Sequence, residues 1–406
     1  MKRIGIGIVG AGFLAQTRGR CYSRVSGGRH QLFAVADTDP ERAGRYARQY
    51  DVPHVVSDVR ELLAMPEVDV LDLCVPNHLH QPMTEAAAAA GKHVVCTKPL
   101  TAYVGQDLPA DAADQAVSSQ SRAHMLKVSV EAAASMVAAA DRSGVKLMYG
   151  ENWIHSPSLR KVARLLEVSR GTILEMRGGE CHSGSHSPFS KIWKYTGGGA
   201  LIRLGAHPIG AMIFLKQLEG LARDGRPIRP VAVTAEVSDL SRIPALERES
   251  RQWVARGWKD VENWGSLVLS FEDGSRWIVW ASDAVLGGME SRLDVLFSNG
   301  RLKCNLSPNN LVEAYAPAPE TFGEEYLQEK LETAAGWSTP MPDEDWTSGH
   351  WGMCQSFVDC VAEDRPPVTD GRLGLEVVRV IYSAYLSAQE GRRVELVADD
   401  RGDRSG

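Results

Sequence analysis

The chain has 406 residues, too many for one hydrophobic core, so two domains are expected. Hydrophobic residues make up 44% and charged residues 24%, which excludes a disordered or fibrous chain. The formal net charge of −6 lacks the basic footprint of a nucleic-acid-binding protein, so small molecules or proteins are the expected partners.

The first 150 residues alternate short, β-rich apolar runs with stretches of helix-compatible sequence. The apolar runs, in chain order, are RIGIGIV, QLFAVA, VDVLDLCV, KHVVC and VKLMYG. Such alternation is typical of a doubly wound parallel sheet, so residues 1–150 are predicted to form an α/β domain of the Rossmann type. Asp39 is predicted to begin the helix after the second strand, because its carboxylate can cap a helix and Pro40 suits the first helical position.

A polar segment rich in alanine, aspartate and serine, residues 101–126, interrupts this pattern. Long segments without periodicity are typically lids, oligomerisation arms or disordered loops. The sequence leaves these three alternatives open.

After residue 150 the pattern changes to long runs in which apolar and polar residues alternate. An Asp-Gly turn signal at residue 273 and an Asn-Gly signal at residue 299 divide these runs and predict hairpins of an antiparallel sheet. Two later amphipathic stretches, residues 349–362 and 374–390, are predicted to be helices packed on this sheet or on its neighbour. Residues 151–406 are therefore expected to form a second domain of the α+β class.

Seven cysteines are scattered along the chain, an odd number without a Cys-x-x-Cys pair. A chain of this size needs no disulfide staples, so they are expected to be reduced thiols. There is no run of about 18 apolar residues, so no membrane span is expected. Glycines at nucleotide-loop spacing in the apolar N-terminus favour a strand and loop over a signal peptide. These features predict a cytoplasmic protein, with residues 399–406 as a frayed tail.

Gly10, Gly12 and Ala15 form a Gly-x-Gly-x-x-Ala motif between the first predicted strand and the next helix. Glycines there let the backbone turn tightly and approach a pyrophosphate, which binds at the partly positive N-terminus of the helix. Asp37 ends the second strand, where its carboxylate can bind ribose hydroxyls and repel a 2′-phosphate. The motif predicts NAD rather than NADP, although Arg42 is of a type that accommodates that phosphate. The loop residues predicted to bind the cofactor are Gly10, Gly12, Phe13 and Leu14.

Three further motifs follow the loop, namely PNHLH at residues 76–80, TKP at 97–99 and GGGAL at 197–201. Together with the loop and Asp37 they resemble the Gfo/Idh/MocA family, which includes glucose-fructose oxidoreductase and inositol dehydrogenases. The resemblance extends over nearly the whole chain. It implies NAD-dependent oxidation of sugars or cyclitols, and a second domain with a large open, mainly antiparallel sheet whose flat face commonly forms homo-oligomers, here a dimer or tetramer.

The resemblance also implies a catalytic lysine near the nicotinamide. Lys98 takes this position, although Thr97 stands where the family has glutamate. A lysine ammonium can hydrogen-bond the hydroxyl that is oxidised and lower its pKa as hydride leaves. Lys98 is also expected at the cofactor, because it follows the fifth apolar run at the carboxyl edge of the sheet, where doubly wound domains bind ligands.

Four other positions that match the family are expected to line the cofactor or the sugar. Asn77 and His80 match positions on the nicotinamide side, although His80 serves equally well as a helix-start residue. Asn152 and Trp153 match an Asn-aromatic pair after the last Rossmann strand. Asn152 is expected at the cofactor, and Trp153 is expected to pack on the cofactor or the sugar ring, with an inter-domain core position as the alternative.

In the family, GGGAL is followed by an aspartate and a histidine that flank the sugar. The stretch here is IRLGAH, residues 202–207, so His207 is kept and Arg203 replaces the aspartate. A neutral imidazole can accept a hydroxyl proton near neutral pH, so His207 is expected to be the general base. Arg203 is expected to bind the substrate.

A polar stretch before GGGAL, CHSGSHSPFSKIWKY, supplies Cys181, His182, His186, Lys191 and Lys194. His182, His186 and Lys194 are expected to contact the substrate, and a polar loop with solvated cations is the alternative. A metal site is disfavoured, because the i, i+4 spacing does not place two imidazoles on one face of a loop. We therefore expect no metal.

Lys98, Arg203, His207 and the neighbouring histidines and lysines make the predicted site rich in positive charge, with no obvious carboxylate to balance it. Guanidinium pairs bidentately with carboxylate, sulfonate or phosphate. The predicted substrate is therefore an acidic sugar, such as a uronate or a sulfosugar.

Two enzymatic activities fit these residues. One is a dehydrogenase that moves a hydride from a ring hydroxyl to NAD. The other is an NAD-dependent glycosidase, as in some relatives, which oxidises transiently, eliminates the aglycone, adds water and reduces again. A regulatory protein on the same scaffold is disfavoured by the retention of Lys98 and His207.

Overall fold

The computed structural model describes residues 3–185, 187–308 and 310–396. His186, one of the predicted substrate contacts, and the predicted tail at residues 399–406 lie outside the described residues. Within these ranges the chain forms two large sheets and one small sheet.

The first sheet is entirely parallel. Its strands are β1 Ile4–Val9, β2 His30–Ala36, β3 His54–Val56, β4 Val70–Leu73, β5 His93–Thr97 and β6 Leu147–Gly150. They lie in the order β3-β2-β1-β4-β5-β6. All of β1 is buried, as expected of a central strand covered on both faces. This order confirms the predicted doubly wound domain, which binds ligands at the carboxyl edge where the strand order reverses.

Helices flank the strands of this sheet. In the described chain up to β6 they are α1 Phe13–Tyr22, α2 Pro40–Gln49, α3 Val59–Ala64, α4 His80–Ala89, α5 Asp114–Ser118 and α6 Arg122–Ser143. The predicted start of α2 is confirmed, because Asp39 Oδ1 accepts hydrogen bonds from the N–H groups of Glu41 at 3.0 Å and Arg42 at 3.1 Å. This cap satisfies two N–H groups that the first turn leaves unpaired.

The second sheet lies beyond residue 150 and is mixed. The strands of this part are β7 Ile173–Cys181, β8 Pro230–Ser238, β9 Trp264–Phe271, β10 Arg276–Ser282, β11 Glu290–Phe297, β12 Gly300–Ser307, β13 Ala314–Ala316, β14 Gly336–Ser338 and β15 Val394–Glu395. The large sheet has the order β12-β11-β7-β10-β9-β8-β15, and β13 pairs only with β14 in the described chain. β7 and β10 run parallel, and the other neighbours are antiparallel. Both predicted hairpins are confirmed.

Helices of the second part contact both large sheets. They are α7 Pro157–Ser169, α8 Trp193–Thr196, α9 Ala200–Arg203, α10 Ala206–Asp224, α11 Pro244–Glu247, α12 Glu344–Thr347, α13 His350–Ala362 and α14 Gly371–Glu390. The two predicted late helices are confirmed as α13, which packs on α1, and α14, which packs on α6 and β8. The N–H of Tyr149, in β6, donates to the carbonyl of Thr369 at 2.9 Å. The segment between α13 and α14 therefore contacts the first sheet.

Residues 101–126 pack beneath the second domain. α5 contacts α8. The N–H of Tyr103 donates to Tyr382 Oη at 2.6 Å, and the carbonyl of Tyr103 accepts from Trp193 Nε1 at 3.1 Å. The guanidinium of Arg122 lies 3.9 Å from the centre of the Trp193 ring. This segment therefore supports the residues that precede GGGAL.

In the part of the chain that the structure describes, no single helix is both long and apolar enough to cross a membrane. The segments Trp193–Arg203 and Ala206–Asp224 reach such a length only as a pair, and this pair is bent by 55°. All seven cysteines belong to the described residues and are unpaired.

Candidate active site

The loop between β1 and α1 uses its two glycines differently. Gly10 has a φ of +85°, and a Cβ there would lie 2.5 Å from the carbonyl oxygen of Cys74, so only glycine fits the turn. Gly12 has a φ of −79°, and a Cβ there would meet no described atom within 4 Å. Gly10 therefore shapes the loop, whereas Gly12 leaves open space in front of the helix.

The first turn of α1 borders this open space. The helix begins at Phe13 without a side-chain cap, so its first N–H groups are available to an anion. Phe13 is 87% exposed, an unusual position for a large apolar side chain, and Leu14 is half-buried. This turn has the properties of a pyrophosphate site.

Asp37 follows β2 and faces the glycine loop. Its Oδ2 accepts a hydrogen bond from Ala11 N–H at 2.7 Å, and its Oδ1 accepts one from Asp39 N–H at 2.8 Å. Arg42 donates to both oxygens, from Nε at 2.9 Å and from Nη2 at 2.6 Å. Burial acts to raise the pKa of Asp37, but the hydrogen bonds from Arg42 and the two N–H groups lower it below its ordinary value. Arg42 is thus already bound to a carboxylate.

Lys98 lies directly after β5, at the carboxyl edge of the first sheet. Its Nζ donates to the carbonyl oxygen of Arg203, at the end of α9. Burial lowers the pKa of Lys98, and the carboxylates of Glu180 and Glu151 oppose that shift. The second domain therefore holds this ammonium in place against the first.

His207, in the first turn of α10, is held on two sides. Its Nδ1 lies 2.8 Å from Glu151 Oε1. Its ring stacks on the ring of Trp153, with the centroids 5.7 Å apart and an angle of 12° between the planes. Since a carboxylate only accepts hydrogen bonds, we assign the imidazole proton to Nδ1, which leaves a lone pair on Nε2 of the neutral ring. This is the form that a general base requires.

Glu180, on β7, lies on the Nε2 side of His207. Its Oε1 is 4.0 Å from His207 Nε2, and its Oε2 accepts a hydrogen bond from Ser291 Oγ at 3.3 Å. Burial raises the pKa of Glu180, and His207 and Lys98 oppose the shift. His207, Lys98 and Glu180 therefore form one electrostatic unit.

Arg203 faces a third buried carboxylate. Its Nη2 donates to Oδ2 of Asp283, which follows β10. Burial raises the pKa of Asp283, and Arg203 opposes the shift. The guanidinium carbon of Arg203 lies 5.4 Å from the ring centre of Trp258. The charge of Arg203 is therefore compensated inside the protein.

His182 is brought to the Arg203 side of the site, as its prediction as a substrate contact requires. Its Nδ1 accepts a hydrogen bond from Gly184 N–H at 2.9 Å and lies 3.5 Å from Asp283 Oδ1. Because Nδ1 accepts from Gly184, it does not donate to Asp283.

His80 corrects the prediction of a nicotinamide contact. It is fully buried and begins α4, in agreement with the helix-start alternative. Its Nδ1 lies 3.1 Å from the carbonyl of Pro99, and its Nε2 lies 3.1 Å from that of Val75. Burial lowers its pKa. His80 therefore ties together the loops after β4 and β5 and does not face the cofactor space.

The two predicted asparagines bridge segments of the backbone. Asn77 Nδ2 donates to the carbonyl of Thr196 at 3.1 Å. Asn152 Nδ2 donates to the carbonyl of Ser348 at 2.7 Å. Asn77 thus joins the first domain to a loop of the second, whereas Asn152 joins two segments of the second, and their role at the cofactor stays a prediction.

Lys194 is bound to the backbone, and its contact with the substrate stays a prediction. Its Nζ donates to the carbonyl of Ala112 at 2.5 Å, which binds it to the segment 101–126. Lys191 Nζ donates to the carbonyl of Arg256. Cys181 is buried, and burial raises the pKa of its thiol to about 12. Among the described residues, no group of three or more His, Cys, Asp and Glu side chains could hold a metal ion.

Three buried carboxylates of the site were not predicted from the sequence, namely those of Glu151, Glu180 and Asp283. Glu151 directly precedes Asn152 and Glu180 directly precedes Cys181, so position beside a motif was the available signal. Asp283 follows a β-strand and carries no motif. The interpretation of the site as positive charge without a balancing carboxylate is therefore wrong.

The residues present fit a nicotinamide dinucleotide. The space at Gly12 and the uncapped N–H groups of α1 suit a pyrophosphate, and the ionised Asp37 stands where ribose hydroxyls bind. Lys98 and His207 stand at the carboxyl edge, where a reacting group would meet the nicotinamide. Fold and site define a nicotinamide-dependent oxidoreductase.

Two family models match this chain. The NAD-binding Rossmann fold of the Gfo/Idh/MocA oxidoreductase family matches residues 4–124, and the C-terminal domain of the same family matches residues 160–303. Together they account for well over half of the chain. The chain belongs to the Gfo/Idh/MocA oxidoreductases, as its motifs predicted, and its cofactor is NAD.

Known relatives cover different shares of the chain. Levoglucosan dehydrogenase of Pseudarthrobacter phenanthrenivorans is 26% identical over 231 residues, and this alignment spans 53% of the chain and 52% of that protein. D-apiose dehydrogenase of Paraburkholderia graminis is 24% identical over 98% of this chain and 90% of that protein. The crystal structure of GenD2 from gentamicin A biosynthesis, in complex with NAD, has a TM-score of 0.77 and 26% identity, covering 98% of this chain and 97% of that one.

Proposed function

We propose that the protein is a dehydrogenase that oxidises a ring hydroxyl of a sugar or cyclitol with NAD. The observation that carries the proposal is the convergence of Lys98, His207 and Glu151 at the carboxyl edge of the nucleotide-binding sheet. The names of the relatives, levoglucosan dehydrogenase and D-apiose dehydrogenase, support a sugar substrate.

The two proposed catalytic residues divide the work on the hydroxyl. Nε2 of His207 accepts its proton, and Glu151 stabilises the resulting imidazolium through Nδ1. The Lys98 ammonium donates a hydrogen bond to the same oxygen and stabilises its developing negative charge. Bound NAD supplies the hydride acceptor. The alcohol thus loses one hydride from carbon and one proton from oxygen, and it becomes a ketone.

An acidic sugar, as predicted from the sequence, is an alternative substrate for this proposed activity. Its support was the positive charge of Arg203 and the neighbouring cations. Asp283 compensates Arg203, and Glu151 and Glu180 face Lys98. A uronate or sulfosugar therefore has less support than an uncharged sugar.

An NAD-dependent glycosidase is the second candidate. The observation in its favour is Glu180, a carboxyl group whose pKa burial raises, 4.0 Å from His207 Nε2. Such a group is suited to give a proton to a leaving aglycone. Catalysis of this kind leaves no net NADH.

One assay tests both candidates. The purified protein is incubated with NAD and a panel of levoglucosan, D-apiose, myo-inositol, D-glucose and D-glucuronate, and with the aryl glycosides of D-apiose, D-glucose and D-glucuronate. The dehydrogenase produces NADH and ketone in equal amounts. Aglycone release without net NADH would favour the glycosidase, and neither product, with nicotinamide bound, would contradict both.

We further propose a cytoplasmic homo-oligomer that forms through the open face of the second sheet. Val268 and Ile278 are paired neighbours on that face and are 43% and 38% exposed. Paired, exposed apolar side chains on a sheet are suited to an interface. Seven unpaired thiols support a reducing compartment. A monomeric mass in light scattering would contradict the oligomer, and Ile278→Glu should dissociate it.

A further inference from the structure

Arg203 and Asp283 form an ion pair on the substrate side of the site. The side chain of Asp283 is fully buried, and the side chain of Arg203 is 16% exposed. The N–H of Asp283 donates to the carbonyl of Asn263 at 2.8 Å, which anchors this carboxylate to the second sheet. The guanidinium approaches it from α9.

Arg203 is fixed from two further directions. Trp258 covers its guanidinium at 5.4 Å, and the carbonyl of Arg203 accepts the hydrogen bond of Lys98 Nζ. The residue that carries the guanidinium therefore also positions the ammonium at the reacting centre. Any group bound by Arg203 lies close to the carbon that is oxidised.

Carboxylates and cations alternate in this region, and Lys191 and Lys330 also act on Asp283. The carboxylates of Glu151, Glu180 and Asp283 face the two cations of Lys98 and Arg203. A guanidinium bound to one carboxylate attracts a second anion weakly, and the neighbouring carboxylates repel it.

The ion pair keeps one donor and one acceptor without a partner. Among the described residues, neither Arg203 Nε nor Asp283 Oδ1 has a hydrogen-bond partner. A hydroxyl can donate to the oxygen and accept from the nitrogen, whereas a carboxylate, sulfonate or phosphate only accepts. Both atoms are enclosed by protein, so a hydroxyl reaches them from the exposed side of Arg203, with a shift of that side chain. An uncharged hydroxyl then matches this pair, and an acidic group leaves Asp283 unsatisfied.

We propose that Arg203 and Asp283 form a specificity-determining subsite that binds a hydroxyl of an uncharged sugar and rejects an acidic group at that place. The proposal rests on the proposed function, since it takes a sugar site beside Lys98 as given. It replaces the acidic sugar predicted from the sequence with an uncharged sugar, because the sequence does not show that Asp283 is the partner of Arg203.

Binding without turnover tests the subsite. The full protein loaded with NADH is titrated calorimetrically with matched pairs, D-glucose and D-glucuronate, and D-galactose and D-galacturonate, followed by levoglucosan and D-apiose. The wild type is expected to bind a neutral sugar at least about tenfold more tightly than the matched uronate. A preference for the uronate, or no binding by any neutral sugar, would overturn the proposal.

Two variants are expected to change this preference in opposite directions. Asp283→Asn frees the charge of Arg203, so the ratio of neutral to acidic affinity should fall at least about tenfold. Arg203→Gln leaves the buried carboxylate of Asp283 without its cation, so the ratio of neutral to acidic affinity should rise while neutral sugars bind more weakly. The control Asp141→Asn makes the same chemical change at an exposed ion pair with Arg372 and should leave the ratio unchanged.

The pair of variants separates specificity from stability. A purely structural ion pair would lower the thermal stability of both variants and leave the ratio unchanged, which would overturn the proposal. If Asp283→Asn does not fold, Arg203→Gln alone still decides, because a ratio that stays constant or falls contradicts the subsite. Neutral sugars that bind without forming NADH in the NAD assay would refute the proposed dehydrogenase and leave the subsite standing.

Discussion

The cofactor loop and the substrate side of the site are built from the sequence in different ways. Gly10, Gly12 and Asp37 lie within the first two strand-and-turn units, and Asp37 is paired with Arg42 only five residues away. On the substrate side, the ion pair of Arg203 and Asp283 joins residues 80 apart, and the bond from Glu151 to His207 joins residues 56 apart. Local backbone geometry builds the first, and tertiary pairing builds the second.

This difference explains for which charged residues the sequence alone shows whether the charge is compensated. Asp37 and Arg42 are only five residues apart, on either side of the turn between β2 and α2, so the sequence already places them near each other. Arg203 has no carboxylate near it in sequence, and its partner arrives only when β10 pairs with its neighbours. The apparent charge of a site assembled over long range is therefore known only after the fold is known.

The largest expected effect is on the substrate side. Lys98→Met keeps the length of the side chain and removes the ammonium, so turnover should fall by about a thousandfold or more. NADH affinity, measured by fluorescence titration, should change by less than about threefold, because the dinucleotide is held chiefly at the loop. Turnover within about tenfold of wild type would show that this ammonium does not act on the hydroxyl.

A change at Asp37 should alter cofactor choice. In Asp37→Ser the bidentate acceptor is lost and Arg42 is released, so NAD affinity should fall about 10- to 100-fold and NADP should bind comparatively better. The matched control is Asp58→Asn, which alters the cap of α3 and contacts Arg60 rather than Arg42. An unchanged NAD to NADP ratio in Asp37→Ser would contradict the assignment.

The two loop glycines offer a paired test of fold against binding. Gly12→Ala meets no described atom within 4 Å, so the melting temperature should stay near that of wild type while NAD affinity falls about tenfold. Gly10→Ala requires a positive φ and a contact of 2.5 Å with Cys74, so it should lower the free energy of unfolding by about 1 to 3 kcal/mol. Urea unfolding and NADH titration of both variants measure this difference. Equal losses of stability in the two variants would contradict the prediction.

The last effect concerns acid stability at His155, which is buried beside Thr369 and Phe357. Burial lowers the pKa of His155 from 6.5 to about 3, so the unfolded chain takes up a proton that the folded chain refuses. Stability should therefore fall as pH drops from 6.5 toward 3, with a slope of about 1.4 kcal/mol per pH unit from this group. His155→Gln retains polar contact with Thr369 and should be less sensitive between pH 7 and 5 in urea unfolding. An identical loss in both proteins would show that other groups account for the slope.

Much of the fold could be predicted because its signals are local. The cap at Asp39, the turns near residues 273 and 299 and the glycine loop depend on neighbours within a few positions. The parallel pairing of β7 with β10 had no such signal, since β7 enters between β10 and β11 from elsewhere in the chain.

The same limit applies to the site. Lys98, Arg203 and His207 stand in recognisable motifs, whereas Glu151, Glu180 and Asp283 are identified only by what they touch. In the pairing of β7 with β10, Glu180 lies opposite Ala281. Asp283 follows the same end of β10, where it meets Arg203. His80 was misplaced because its motif did not reveal that both ring nitrogens contact backbone carbonyls.

Glu151→Gln offers the most direct measurement of the central claim, that a histidine held by a distant carboxylate takes the proton as hydride leaves for NAD. Single-turnover formation of NADH should be followed with the neutral sugar that the wild type oxidises fastest, at saturating NAD and sugar. We predict that the rate falls about a hundredfold or more while the affinities for NADH and sugar stay within about threefold, because only the proton acceptor is disturbed. A rate within about threefold of wild type, at unchanged affinities, would contradict the account.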